Sequence, residues 1–344
     1  MPATTTGKTR RPVADRRRVA VLFTGGTISM AVDPAAGGNV PSLDGAAILA
    51  RTPGLDAVAE VVPFDLGLTP ASHFTFPRLI EIGAAIRDAA ADPAIDGVVV
   101  VQGTDTIEET SFAWDLLYAG SSPVVVTGAM RSSSEPGYDG PANLVDAVRC
   151  AASPALAGQG VVVCLAGSID AADDVAKTHA SSLTTFQSPN DGRLGVVSAG
   201  EVLVTRHRAG RRHVVTDVAA EPIHLIVATV AMDGSLLDAA VALGARGIVV
   251  AATGAGNTSA ALLAAGARAM AAGIPVVLST RVPSGRAGTG YAFPGGGATW
   301  VRAGAMRAGS LSAIKARIAL ALGVGAGLDR AALATLLAGP EAGA

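Results

Sequence analysis

Short apolar runs recur along the chain, and several of them stop at a glycine beside a hydroxyl or acidic residue. Val19–Phe23, Gly97–Val101, Val124–Thr127 and Val161–Leu165 are rich in β-branched residues and bounded by turn signals, which predicts strands buried on both faces. Ala57–Val62 predicts a further strand. Between them, Pro77–Ala89 and Glu108–Tyr118 space their apolar residues as amphipathic helices do. Strands alternating with helices predict an α/β fold, a doubly wound and mainly parallel sheet. From Gly195 the texture changes. Glu201–Thr205 and His213–Thr216 predict a hairpin whose tip, Arg206–Arg212, is basic and solvated. A second set of strands at Ile223–Thr229, Gly247–Ala251 and Pro275–Ser279 follows, with helices at Ser259–Ala272, Ser312–Leu322 and Arg330–Leu337. It predicts a smaller C-terminal α/β domain.

The length of 344 residues exceeds what one core usually supports and agrees with this division. The expected arrangement is a disordered basic tail over residues 1–17, a large domain over 18–206, a linker over 207–222 and the smaller domain over 223–344. Half of the residues are hydrophobic and 16% are charged, yet no uncharged apolar run reaches the roughly 18 residues of a membrane span. A net charge of −2 gives no general attraction to nucleic acid. Lys8, Arg10, Arg11, Arg16, Arg17 and Arg18 crowd the start, but the apolar run behind them passes straight into Thr24-Gly25-Gly26-Thr27. No small-residue cleavage site intervenes, so a secretory leader is not expected and a cytoplasmic setting is. Cys150 and Cys164 stand in apolar surroundings without metal-binding spacing, which predicts two buried free thiols, no metal and no cofactor.

Four strand ends carry the candidate chemistry. After Val19–Phe23 comes Thr24-Gly25-Gly26-Thr27-Ile28-Ser29, where two glycines let a ligand approach backbone N–H groups. Composition alone does not separate Thr24 from Thr27. After Val98–Val101 comes Gln102-Gly103-Thr104-Asp105-Thr106, and Thr106 with Glu109 has the spacing of a capping box for the next helix. Thr104 and Asp105 then lie at a carboxyl strand end, the edge at which open α/β sheets bind ligands; capping and dipole roles are the structural alternative. Gly128-Ala129-Met130-Arg131 and Gly167-Ser168-Ile169-Asp170 end two more strands. Downstream, Lys177 follows the acidic pair Asp173-Asp174.

Together these stretches resemble the bacterial-type L-asparaginase family. The resemblance rests on Thr24-Gly25-Gly26-Thr27-Ile28, on Gly103 to Thr110, on Gly128-Ala129-Met130-Arg131, on Asp139-Gly140-Pro141 with Asn143-Leu144, and on Val175 with Lys177-Thr178, in an order and spacing that extend over residues 17–340. It implies an amidohydrolase that releases ammonia from asparagine, and sometimes glutamine, through a covalent acyl-enzyme. By motif position Thr27 is the implied nucleophile, and Thr104, Asp105 and Lys177 the implied second catalytic group. Gly26, Gly103 and Ala129 border the implied substrate site, Ser72 is the implied ligand of the substrate α-carboxylate, and Asn257 is implied to reach the site of a partner subunit in a homodimer or homotetramer. No nucleic-acid or membrane partner is implied.

Two departures bear on substrate and rate. The family's lid tyrosine falls on Val40 of the segment Ala35–Val40, which leaves Tyr138 or Tyr291 as hydroxyls that could approach. Between Asp238 and Asp329 there is no acidic residue to meet the substrate amine from a neighbouring subunit. Action on glutamine, on a D-amino acid amide or on another small amide is the alternative expectation, as is a catalytically impaired protein that binds aspartate or asparagine.

Overall fold

The computed structural model describes residues 16–339; the basic tail expected over residues 1–17 falls outside these for residues 1–15. The first unit contains β1 (Arg18–Phe23), β2 (Met30–Asp33), β3 (Gly38–Pro41), β4 (Glu60–Asp65), β5 (Gly97–Val101), β6 (Val124–Thr127), β7 (Val161–Leu165), β8 (Ser168–Ala171), β9 (Ala176–Lys177), β10 (Phe186–Gln187), β11 (Gly195–Ser198) and β12 (Glu201–Val204). Its helices are α1 (Gly45–Ala50), α2 (Phe76–Ala91), α3 (Ile107–Leu117) and α4 (Gly140–Ala151). Eight strands form one sheet in the order β12-β11-β8-β7-β6-β5-β1-β4. The five from β7 to β4 are parallel, and β8, β11 and β12 extend the sheet antiparallel.

The valine runs need no alternation because both faces of this sheet are covered. On β5, Val98 and Val100 join the core under α2 and α3, while Val99 and Val101 join the opposite core with Leu144 and Val148 of α4. The second unit holds β13 (Ile223–Val227), β14 (Gly247–Ala252), β15 (Val276–Thr280) and β16 (Met306–Arg307) in one parallel sheet. Its helices are α5 (Ser235–Ala242), α6 (Ala260–Ala271), α7 (Gly297–Ala303), α8 (Ala313–Gly325) and α9 (Arg330–Ala338). One face of β14 packs on α5 to α7, and the other contributes Val249 and Ala251 to the core that α3 shares with α8. The two units are therefore joined through a continuous apolar layer. Among the described residues no helix is long and apolar enough to cross a membrane.

Three local expectations are corrected. The strand expected at Ala57–Val62 is β4, shifted to Glu60–Asp65 behind a 3-10 turn at Leu55–Ala57. It is an edge strand paired only with β1, and the exposure of Pro63, Phe64 and Asp65 hides it from a burial pattern. The hairpin partner of Glu201–Val204 is Gly195–Ser198, joined by a turn in which Ala199 and Gly200 both have positive φ; His213–Thr216 forms no strand. Nor is Arg206–Arg212 a solvated tip. The Arg208 guanidinium pairs with Asp115 at 2.8 Å and with Asp173 at 2.9 Å. Arg211 reaches Asp115 at 3.3 Å, and Arg212 donates to the Leu336 and Ala338 carbonyls at the end of α9. Asp115 is fully buried on α3, and a carboxylate there requires cations brought to it. The arginines that look like a surface run are its partners, and they strap residues 205–222 across the molecule.

Candidate active site

The chain runs from β1 to β4 on one side and then returns to β5 on the other, so β1 and β5 flank the point where the winding of the sheet reverses. Ligands of open α/β sheets bind outside the carboxyl ends of such strands. Thr24–Thr27 leaves β1 there and Gln102–Asp105 leaves β5.

Glycine brings the two loops into contact. Gly26 has φ +97°, and a Cβ on it would lie 2.0 Å from the Gly103 nitrogen; no other residue type fits between the two backbones. Gly25, at φ +103°, is also close to backbone, its Cβ position lying 2.9 Å from the Thr69 nitrogen and 3.0 Å from the Leu68 carbonyl carbon. The turn is closed by Ser29, whose N–H and hydroxyl both donate to the Gly26 carbonyl, at 2.9 and 2.6 Å. This geometry separates the two threonines. Thr24 is fully buried, and its N–H and Oγ1 both donate to the Val101 carbonyl at 3.0 Å. Thr27 opens a 3-10 turn, is only partly buried, and has no hydrogen bond to its hydroxyl among the described residues. Thr24 locks β1 to β5, and Thr27 is the one left available.

Thr104 and Asp105 begin the 3-10 turn ahead of α3. The Lys177 Nζ stands 3.0 Å from Thr104 Oγ1 and 3.1 Å from Asp105 Oδ1. Lys177 comes from β9, held in a hairpin with β10, with Thr178 donating from N–H and hydroxyl to the Thr185 carbonyl at 2.9 and 2.8 Å. Its side chain is 14% exposed whereas that of Asp105 is 70% exposed, so the pair spans the wall and the mouth of the site. The Lys177 N–H donates to the Glu108 carboxylate at 3.4 Å. Burial pushes the Glu108 carboxyl up, opposed chiefly by Lys315.

The third loop is fixed by Asp139 and Asn143. Asp139 accepts from the Met130 and Arg131 N–H groups at 3.0 and 2.9 Å, while Asn143 donates to the Gly128 carbonyl at 3.0 Å and accepts from Ala166 N–H at 3.0 Å. Gly128 itself abuts the Gln102 carbonyl and the Thr104 methyl, and Ala129 is fully buried beside it. Gly26, Thr27, Gly103, Thr104, Asp105, Ala129 and Lys177 thus belong to one cluster of adjoining loops.

Other expected residues fall differently. Ser72 is exposed, on a 3-10 turn whose Ala71 packs against Gly103, and it lines a cleft of about 310 Å³ with Phe74, Thr106, Glu109 and Arg317. The Thr106–Glu109 capping box is not made: Thr106 Oγ1 donates instead to the Ala71 carbonyl at 3.2 Å, tying that turn to α3. Asn257 lies in the turn after β14 in the second unit, with Oδ1 buried and without a hydrogen-bond partner among the described residues, and its backbone bridged to Thr253. Val40 sits on β3 opposite Ala31 of β2, so the segment after the Thr24–Thr27 turn is a paired hairpin. Of the two candidate hydroxyls, Tyr138 Oη donates to the Ile28 carbonyl at 2.7 Å, next to Thr27. Burial and Asp139 push its phenol up to about 12, which keeps it a donor. Tyr291 is half-exposed in the second unit, tilted against Phe293. Lys315 is a functional candidate that sequence reasoning missed; in sequence it is one of two cations, with Arg317, on an otherwise apolar helix.

The chain is similar to known proteins along nearly its whole described length. Residues 18–209 match the family model "Asparaginase, N-terminal", and residues 223–337 match "Glutaminase/Asparaginase C-terminal domain". A probable L-asparaginase of Deinococcus radiodurans is 36% identical over 322 residues, covering 91% of this chain and 94% of that protein. A protein of Haemophilus influenzae described as a probable periplasmic L-asparaginase is 32% identical, over 90% of this chain and 89% of its own. The crystal structure of a probable cytoplasmic L-asparaginase from Campylobacter jejuni superposes with a TM-score of 0.80 at 28% identity, covering 90% of this chain and 95% of the other.

Proposed function

Because the chain belongs to the asparaginase family of amidohydrolases, we propose that it hydrolyses the side-chain amide of L-asparagine to L-aspartate and ammonia through an acyl-enzyme on Thr27. The observation that carries the reading is the Lys177 ammonium held between Thr104 Oγ1 and Asp105 Oδ1, on a loop whose Gly103 touches Gly26.

Thr27 Oγ1 attacks the amide carbonyl carbon, its proton passes to the leaving nitrogen, and ammonia departs as the ester forms. Water, oriented by Thr104, then attacks the ester carbonyl, gives its proton back to Thr27 Oγ1 and releases aspartate. A threonine hydroxyl is a weak nucleophile without assistance, and a lysine that polarises a neighbouring hydroxyl through charge-assisted bonds supplies it. Backbone N–H groups near Thr104 and Ala129 meet the negative charge that develops on the carbonyl oxygen. Asp105, the most exposed member of the group, is suited to receive the substrate ammonium, and Ser72 the α-carboxylate.

A homo-oligomer belongs to the same reading. Val230, Leu236, Tyr291 and Phe293 are exposed on the second unit, an apolar surface that a second copy of the chain would cover. So does a cytoplasmic setting, by likeness to the probable cytoplasmic L-asparaginase of Campylobacter jejuni.

Ammonia release from L-asparagine, measured for the native chain and for Thr27→Ala and Lys177→Met, tests the assignment. Both variants should lose activity by at least about 10³-fold, the scale seen when a nucleophile or its activating partner is removed; full activity in both would sink it. Val40 and the missing acid between residues 238 and 329 favour a second reading, in which glutamine, a D-amino acid amide or another small amide is the better substrate. A substrate panel separates the two, and aspartate binding without turnover of any amide would instead identify a binding protein.

A further inference from the structure

Lysine is almost never fully buried, yet Lys315 on α8 is 2% exposed among the core residues Ala313, Ala316, Ile318 and Ala319. Its Nζ donates to the Val175 carbonyl at 2.5 Å, reaching out of the second unit into the first. Val175 is two residues before Lys177. The Glu108 carboxylate accepts the Lys177 N–H and lies in the fields of Lys315, Lys177 and Glu109. Lys315 in turn faces Asp173, Glu108 and Asp174, with Arg208 opposing; burial lowers its ammonium to about 8 against those carboxylates. A helix that needed only to pack here would place methionine at this position, which fills similar volume without the cost of desolvating a cation.

We propose that Lys315 is a positioning residue for Lys177: from the C-terminal unit it holds the Val175 carbonyl and lends its charge to the Glu108 carboxylate that accepts the Lys177 N–H, and so fixes the short strand β9 at the height where Lys177 Nζ meets Thr104 and Asp105. The inference rests on the reading of Lys177 as part of the catalytic group. It makes the second unit a structural determinant of the chemistry within the same chain.

Lys315→Met removes the charge and the hydrogen bond while keeping the bulk. A displacement of the order of 1 Å at a catalytic group costs about 10²-fold, so kcat for ammonia release should fall by about tenfold or more while KM changes by less than about threefold. With the ammonium gone, burial carries the Glu108 carboxyl further up, and the acid limb of the kcat profile moves to higher pH. Glu108→Gln keeps an oxygen to accept the Lys177 N–H but does not titrate; it should lower kcat comparably and flatten that limb, and the double variant should be no worse than either. Thr27→Ala and Lys177→Met are assayed alongside. If those two are inactive while Lys315→Met is folded with native kcat and an unmoved acid limb, the positioning role is overturned and the reading of the site stands. If Lys177→Met is fully active, the reading of the site is what fails. Should Lys315→Met not fold, Glu108→Gln decides alone, and native kcat with an unmoved limb overturns the proposal.

Discussion

Substituting Gly26 by alanine tests whether contact between the two loops is what assembles the site. The new Cβ would lie 2.0 Å from the Gly103 nitrogen, where ordinary contact begins at 3.4 Å, so the loops must part by 3.4 − 2.0 = 1.4 Å. Both neighbours are backbone, so no side chain can rotate away. At φ +97° and ψ −174° the backbone lies in a region essentially reserved for glycine, which adds about 1–3 kcal/mol of strain in the folded state. Because Thr27 follows Gly26 directly and Thr104 follows Gly103, the separation is passed undiminished to the two hydroxyls. A misplacement of this size costs about 10²-fold or more, equivalent to roughly 2.7 kcal/mol of barrier at 1.36 kcal/mol per tenfold. Gly158→Ala is the control. It shares a positive φ, +76°, but has open space where its Cβ would go. It should lower stability by about 1 kcal/mol and leave turnover untouched. Steady-state ammonia release and thermal unfolding, run on both variants, give the comparison. Gly26→Ala that is folded and retains kcat/KM within about threefold of native would refute the reasoning, because the loops could then separate without consequence.

Further consequences concern the packing around the site. Tyr138→Phe removes the donor to the Ile28 carbonyl and should cost about 1 kcal/mol of stability with a several-fold loss of kcat, but it should leave the alkaline side of the pH profile unchanged up to about pH 10, since the phenol is pushed up to about 12. Asp115→Asn leaves the buried Arg208 guanidinium without its nearest charge and should destabilise by about 3–5 kcal/mol in chemical denaturation. Burial pushes the Asp173 carboxyl up, but Arg208, Arg212 and Lys315 outweigh it and hold the group below its ordinary 3.8. A depressed folded value means stability present above the unfolded value and lost as pH falls through the folded one, so Asp173→Asn should flatten the loss of stability below about pH 4. Cys150 and Cys164 are buried with their Sγ atoms 3.8 Å apart, and contact with Cys150, followed by burial, pushes the Cys164 thiol well up. A thiol-specific reagent should therefore label neither in the native protein and both after denaturation.

What the sequence made legible is what local chemistry dictates. A run such as Val98–Val101 has few structures open to it besides a doubly covered strand, and a diglycine after Val19–Phe23 marks a turn at which backbones approach. The choice of Thr27 over Thr24 was legible only from motif position. It becomes physical once Thr24 Oγ1 is seen committed to the Val101 carbonyl, a bond between residues 77 apart that no local pattern announces. β4 was expected, but three residues too early, for the opposite reason: at the sheet edge its outer residues face solvent, and burial leaves no imprint on them.

The two places where charge misled show the same limit more sharply. Arg206–Arg212 is indistinguishable in sequence from a solvated basic turn, because the carboxylates that neutralise it, Asp115 and Asp173, are supplied by distant segments. Lys315 is the converse case, a fully buried cation on a mostly apolar helix whose charged neighbours Glu108, Asp173 and Asp174 lie some 140 to 210 residues away in the chain. Hydrophobic pattern specifies which face of an element is buried, but it carries no information on which charges meet inside. Those meetings are fixed only when the second unit docks α8 against α3, and docking brings Lys315 to the Val175 carbonyl beside Lys177. The parts of this site that a sequence names are consequently the groups proposed to touch substrate. The groups that hold them in place become visible only in the folded chain.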